Sequence, residues 1–348
     1  MTTEFTRRTT APADAPAPAT PSGMTTRTRV GVLVVLAAVL AAVAVGYGLT
    51  AGDRGTTADR PVDAVPLRLT TDGGQLLVIG DRHLNTVAAA EPDGPRQVGE
   101  LECVRSYAAA GTGICAHPDT QWSYRMVVLD RELKETRSIP VPGLPSRARV
   151  SASGRMVNWT TFVGGDSYSG GGFSTRTGIY DTRSGQLVSS LEEFAVTRDG
   201  KPYRSPDVNY WGVTFTADDN RFYATLSTAG KRHLVEGDLA ARTVRTVKEN
   251  VECPSLSPDG TRLAFKEAVD ADPAKGWRLS VLDLATLRVT PTAELRSVDD
   301  QAAWLDDRTL AYTVRDGAGN PEVWSVPADG SGQGALLVVG AESPSVLR

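Results

Sequence analysis

Glu252-Cys253-Pro254-Ser255-Leu256-Ser257-Pro258-Asp259-Gly260-Thr261-Arg262-Leu263-Ala264-Phe265 reads as a tight β-hairpin. Pro258 fixes φ, Asp259 can bond its own backbone, and Gly260 accepts a positive φ. Beyond the turn, Leu263 and Phe265 share one face of a strand and Arg262 and Ala264 the other. With Gly260 as origin, equivalent turns fall at Gly73, Gly111, Gly154, Asn220 and Asp307. The residues three positions on are Leu76, Ile114, Val157, Tyr223 and Leu310, and those five positions on are Val78, Ala116, Trp159, Thr225 and Tyr312. Neighbouring origins lie between 38 residues (Gly73 to Gly111) and 66 residues (Gly154 to Asn220) apart, most of them near the ~40–50 residue period of a propeller blade.

Turns alone would not establish a repeat, since any β-rich domain has many. A second signal recurs within each unit. A strand ends in Asp and a short turn follows, at Val128-Leu129-Asp130, Ile179-Tyr180-Asp181, Glu236-Gly237-Asp238 and Val281-Leu282-Asp283. Each unit then reads as strand a, turn, strand b, variable loop, strand c, Asp turn, strand d. Six such units fit the chain, which predicts an all-β, six-bladed propeller.

Ser257-Pro258-Asp259-Gly260-Thr261-Arg262-Leu263-Ala264-Phe265 resembles the repeat of TolB-type six-bladed propellers, a bacterial WD-like repeat family. The full motif occurs once, and the other five copies keep the pattern while losing Pro or Gly. The resemblance covers roughly residues 66–348. It implies an envelope-associated interaction domain, although propellers host many unrelated activities. The chain departs from TolB in carrying an apolar N-terminal segment and in lacking an evident N-terminal α/β domain.

That segment separates the predicted propeller from a Pro/Ala/Thr-rich tail over 1–29, which has little to bury and is expected to be disordered and cytoplasmic. Residues 30–51 contain no charge. As a helix they would span about 33 Å, enough for a bilayer core of about 30 Å. Arg27 and Arg29 precede the run and Asp53 and Arg54 follow it, so the positive-inside bias places the propeller outside the cytoplasm. A cleaved signal peptide ending at Ala42-Val43-Ala44 is the competing reading. The continued apolar run and the long preceding tail favour a retained signal-anchor. Residues 52–65 then form a flexible linker and 66–348 the extracytoplasmic propeller on a single-pass membrane protein.

Of the three cysteines, Cys103 and Cys115 fall on one predicted hairpin. The register puts Cys115 opposite residue 104 or 105, a step away from Cys103, so a bridge is within reach and stays open. Cys253, across the ring, is expected to be free and packed. A formal net charge of −4 without basic clusters offers no nucleic-acid surface. Gly165-Asp166-Ser167-Tyr168-Ser169 fails as a nucleophile elbow at its last position, and His83, His117 and His233 sit in three different blades. No phosphate, dinucleotide or calcium loop is present.

The remaining signal is positional. The long b–c loops at 164–174 and 267–275 and the d-to-a connection at 196–209 open on one face. Just before strand a on that face come Glu102-Cys103, Glu252-Cys253 and Glu342-Ser343. These acids could crowd the channel mouth and attract a basic peptide, with Tyr168, Tyr203 and Trp277 offering contact area. The expected function is a non-catalytic protein- or ligand-binding or scaffolding module of the cell envelope, without a cofactor. The alternative is a propeller-type hydrolase or lyase, which would gather acidic or amide ligands around a channel-bound Ca²⁺. Finally, Glu342-Ser343-Pro344-Ser345-Val346 repeats Glu252-Cys253-Pro254-Ser255-Leu256, so the last residues are expected to close the first blade.

Overall fold

The computed structural model describes residues 67–120, 123–164 and 174–348. The tail, the apolar segment, the linker and Tyr168 lie outside these residues. Among the described residues no helix is long and apolar enough to cross a membrane.

The described residues form twenty-six strands in six sheets. In chain order, β1 (Gln75–Gly80), β2 (His83–Ala88) and β3 (Gln97–Glu102) start the first blade. The second blade is β4 (Arg105–Ala109), β5 (Thr112–Thr120), β6 (Ser123–Leu129) and β7 (Glu135–Val141). The third is β8 (Leu144–Val150), β9 (Met156–Val163), β10 (Ser174–Asp181) and the two-residue β11 (Leu187–Val188). A hairpin, β12 (Ala195–Arg198) and β13 (Lys201–Tyr203), precedes the fourth blade: β14 (Asn209–Phe215), β15 (Arg221–Thr228), β16 (Lys231–Asp238) and β17 (Thr243–Glu249). The fifth is β18 (Glu252–Leu256), β19 (Arg262–Ala268), β20 (Trp277–Asp283) and β21 (Val289–Pro291). The sixth is β22 (Ala303–Trp304), β23 (Thr309–Arg315), β24 (Pro321–Pro327) and β25 (Ala335–Val339). The last strand, β26 (Ala341–Leu347), pairs antiparallel with β1 and is the inner strand of the first blade. The chain therefore closes its own ring as its repeat predicts.

All six aligned turns lead into strand b of a blade. Leu76, Val78, Ile114, Ala116, Val157, Trp159, Leu263, Phe265, Leu310 and Tyr312 are buried, as the alternation requires for strands packed between neighbouring sheets. The aspartates that end strand c act as turn acceptors. Asp130 takes the backbone N–H groups of Glu132 and Lys134, each at 2.9 Å, and Asp283 takes that of Thr286 at 2.8 Å.

Two parts of the ring depart from the expected plan. The connection over 196–209 is not a loop on the mouth face. Its hairpin joins the outer edge of the fourth blade, β12 running parallel to β17, and makes that sheet six-stranded. Val196 is buried there, Tyr203 packs against the same core, and the turn is Asp199-Gly200, both at positive φ. Asp-Gly between short alternating runs is a hairpin signal in its own right. The second departure is the sixth blade, whose inner strand has only two residues. The segment before it instead enters the axis. Gln301 Nε2 donates to the carbonyls of Pro254 (2.8 Å) and Val213 (3.4 Å).

Candidate functional site

Three of the inner strands share a distortion at one end. On β26, Ser343 and Pro344 stand opposite the single residue Val78 of β1. On β14, Gly212 and Val213 oppose Ala224, and on β18, Cys253 and Pro254 oppose Phe265. These are β-bulges, and the first residue of each lies in the left-handed region: Ser343 at φ 57°, Gly212 at 65° and Cys253 at 51°. A proline inside an inner strand is itself a bulge signal, so the repeated Glu-x-Pro marks the bulge. The residue before each bulge, Glu342, Trp211 and Glu252, is turned toward the channel mouth, where all three line one cavity of about 610 Å³.

Arg105 from β4, Arg147 from β8 and the Asp299-Asp300 pair ahead of β22 complete the circle at this level. Lys266 and Arg232 line the wall from β19 and β16, and Arg315 from β23. The mouth thus carries five cations and four acids. It is not the like-charge ring expected from the sequence, because each acid was placed by its slot while the interleaved basic side chains come from strands a, b and c.

Apart from Asp300, which accepts the backbone N–H groups of Gln301 and Thr313, these charges are paired with one another. Lys266, with only 5% of its side chain exposed, is ion-paired to Asp299 and lies 3.7 Å from Glu252, and its ammonium sits 4.0 Å above the ring of Trp277. Arg147 reaches Asp299 at 3.2 Å and the Cys253 sulfur at 3.4 Å. Arg105 and Arg315 each approach Glu342 at 3.2 Å. Glu252 is almost wholly buried, and desolvation pushes its carboxyl above the usual range against the pull of Lys266 and Arg232. The Asp299 side chain is 66% exposed, and against some desolvation Lys266 and Arg147 hold it below the usual carboxylate range.

Of the residues singled out from sequence, Glu252, Glu342 and Trp277 meet in this cavity. Glu102 does not. It is the last residue of an outer strand, lies outside the inner-strand bulges, and pairs with Arg82. Tyr203 is also elsewhere, with its hydroxyl 2.9 Å from Thr228 Oγ1 at the edge hairpin. Cys103 and Cys115 form a disulfide with Cα atoms 5.5 Å apart. Cys115 stands opposite Ser106, and Cys103 precedes β4, so the chain entering the blade makes the bridge rather than a directly facing strand pair. Cys253 is free and buried. Sequence reasoning missed the cations Arg105, Arg147, Arg232, Lys266 and Arg315, which carry no motif of their own.

Fold and site together define a TolB-like six-bladed propeller whose mouth is an ion-paired cup at the bulged ends of its inner strands. The crystal structure of TolB from Acinetobacter baumannii is similar, with TM-score 0.57 and 14% identity over 78% of this chain and 66% of that one, so the chain spans just under two thirds of it. A putative TolB from Agrobacterium tumefaciens matches with TM-score 0.48, 9% identity and coverage of 77% and 90%. A chain of a nidogen/laminin complex matches with TM-score 0.52, 11% identity and coverage of 78% and 97%. At such identities the likeness is one of fold. No family model and no curated protein matches the sequence.

Proposed function

We propose that this chain is a non-catalytic binding module of the cell envelope, tethered through residues 30–51, that seats its ligand or partner in the channel mouth. The observation that carries the reading is the ion-pair network Glu252–Lys266–Asp299–Arg147, which commits four of the cavity's charged groups to one another. A network of this kind makes a rigid, shaped surface, and the bulge at Cys253 turns Glu252 into it. The TolB likeness supports an interaction role by analogy of fold alone.

The second reading, a hydrolase or lyase, has one observation in its favour. Glu252 and Asp299 share the cavity and are pushed in opposite directions, the division of labour that an acid and a base require. Against it, Lys266 lies between the two carboxylates. Among the described residues no group of three His, Cys, Asp or Glu side chains is placed to hold a metal ion.

Photo-cross-linking of the full chain in membranes separates the mouth from the opposite face. A cross-linker replacing Ser343 should capture a ligand or partner, and one replacing Asp259 on the short-turn face should not. Capture from Asp259 alone would move the recognition surface to the other face. Turnover of a glycoside or ester by the unmodified chain, lost in Glu252→Gln, would replace this reading with the enzymatic one.

A further inference from the structure

We propose that the mouth takes a neutral sugar ring, with one of its hydroxyls seated between Glu252 and Arg232. The inference rests on the mouth being the binding site. Its starting point is a pair of atoms. Glu252 Oε1 and Arg232 Nε face each other at 3.5 Å, close enough to attract and too far to hydrogen-bond well. Neither atom has a hydrogen-bond partner among the described residues, and Glu252 is 3% exposed. Held only by their mutual ion pair, the two atoms leave hydrogen-bonding capacity unused in a buried wall, which is costly.

A group that satisfies both must give a proton to Glu252 and accept one from Arg232. A hydroxyl does both at a single oxygen. A carboxylate or fully ionised phosphate has no proton for Glu252, and an ammonium has no lone pair for Arg232. The rest of the cavity argues the same way. Its other cations are already paired with its acids, so a ligand bearing a full charge would have to displace one side of an existing pair, whereas a neutral ligand displaces none. Phe162, 40% exposed, and Trp277 line the same space and offer apolar surface to the C–H face of a sugar ring. A volume of about 610 Å³ lies within the usual range of small-molecule sites.

The test uses the full chain and the methyl glycosides of glucose, galactose, mannose and N-acetylglucosamine, followed by saturation-transfer NMR and tryptophan fluorescence, with glycine as the zwitterionic control. At least one glycoside should bind saturably in the millimolar range. Arg232→Met and Glu252→Met should each weaken it by roughly tenfold or more, the loss expected for one hydrogen bond to a charged group. Arg68→Met, outside the mouth, should leave it unchanged, and Glu252→Gln, which keeps an acceptor oxygen, should weaken it less than Glu252→Met. Thermal midpoints near the parent's would establish that the variants are folded. If none of the glycosides binds, or if binding ignores both Met variants, the sugar assignment is wrong. Binding of glycine in their place would assign a zwitterion to the site. Capture from Ser343 alongside silent glycosides would leave the mouth as the binding surface and remove only the sugar. Silence in both experiments would remove both.

Discussion

Arg149, on the inner strand of the third blade, donates a 2.6 Å hydrogen bond to the carbonyl of Ala302, on the approach to the inner strand of the sixth. In a ring of six these blades are opposite each other, so the contact crosses the propeller axis. The same nitrogen also donates to the Gln301 carbonyl, and the guanidinium lies 4.2 Å above the Tyr107 ring. Arg149 is buried, as is Ala302. Replacing Arg149 with Met would leave two carbonyls without this donor. The expected loss is on the order of 3 kcal/mol, measurable as a lower denaturant midpoint at unchanged slope. A midpoint equal to the parent's would mean that the cross-axis brace adds nothing to stability.

The bulges make an opposite pair of predictions. A Cβ added at Gly212 would lie 2.7 Å from the Cys253 Cα, on a backbone at positive φ. Gly212→Ala should therefore destabilise by about 2–3 kcal/mol through strain and overpacking. Ser343 holds the same bulge position with an ordinary side chain. Ser343→Gly should raise stability by about 0.5–1 kcal/mol. Thermal unfolding of the two variants checks both signs at once, and equal shifts in one direction would contradict the account of the bulge.

Glu252 gives stability a definite pH dependence. Desolvation makes the folded chain hold this proton more tightly than the unfolded chain does. As pH rises past the unfolded value of about 4.3, the folded state retains protons that the unfolded state releases, and stability falls until the folded value is passed. Glu252→Gln lacks this titration, so its stability relative to the parent should improve as pH rises above about 4.3, until the folded value is passed. Asp181 runs the other way. Arg155 holds its carboxyl well below the usual range, so its contribution is complete above the unfolded value and lost as pH falls. The advantage of the parent over Asp181→Asn should shrink in acid. Unfolding curves across this range, flat for both differences, would refute the two assignments.

The Cys103–Cys115 bridge spans 12 residues. A loop of this size is expected to stabilise by about 3 kcal/mol through the unfolded state. The double Ser variant should lose about that much, and thiol titration of the unfolded, unreduced chain should find only Cys253. A count of three thiols would mean that the bridge does not form.

The blades were legible because they rest on period-two alternation behind a Gly, Asn or Asp turn, a signal local in sequence. Leu263 and Phe265 announce their strand without help from elsewhere. The closing strand was legible for a related reason, since Glu342-Ser343-Pro344 copies Glu252-Cys253-Pro254. The mouth was only half visible. Glu252 and Glu342 could be placed by their slot, whereas Lys266 and Arg232 reach the cavity from neighbouring strands whose position depends on the closed ring. Glu102 shares the dipeptide but not the bulge, and its backbone therefore turns it elsewhere. The edge hairpin had its sign in Asp199-Gly200, which was hidden because blades ordinarily have four strands.

That the inner strand of the first blade is β26 has a consequence for how the chain is made. Every other propeller strand emerges from the ribosome before it, so β1 waits with an unpaired inner edge through the synthesis of five blades. A contact between residues 75 and 347 is among the slowest a chain of this size can form, and an open apolar edge is an invitation to pair with a second nascent chain. The nascent first blade is therefore the segment that a holding chaperone would have most reason to cover until β26 arrives.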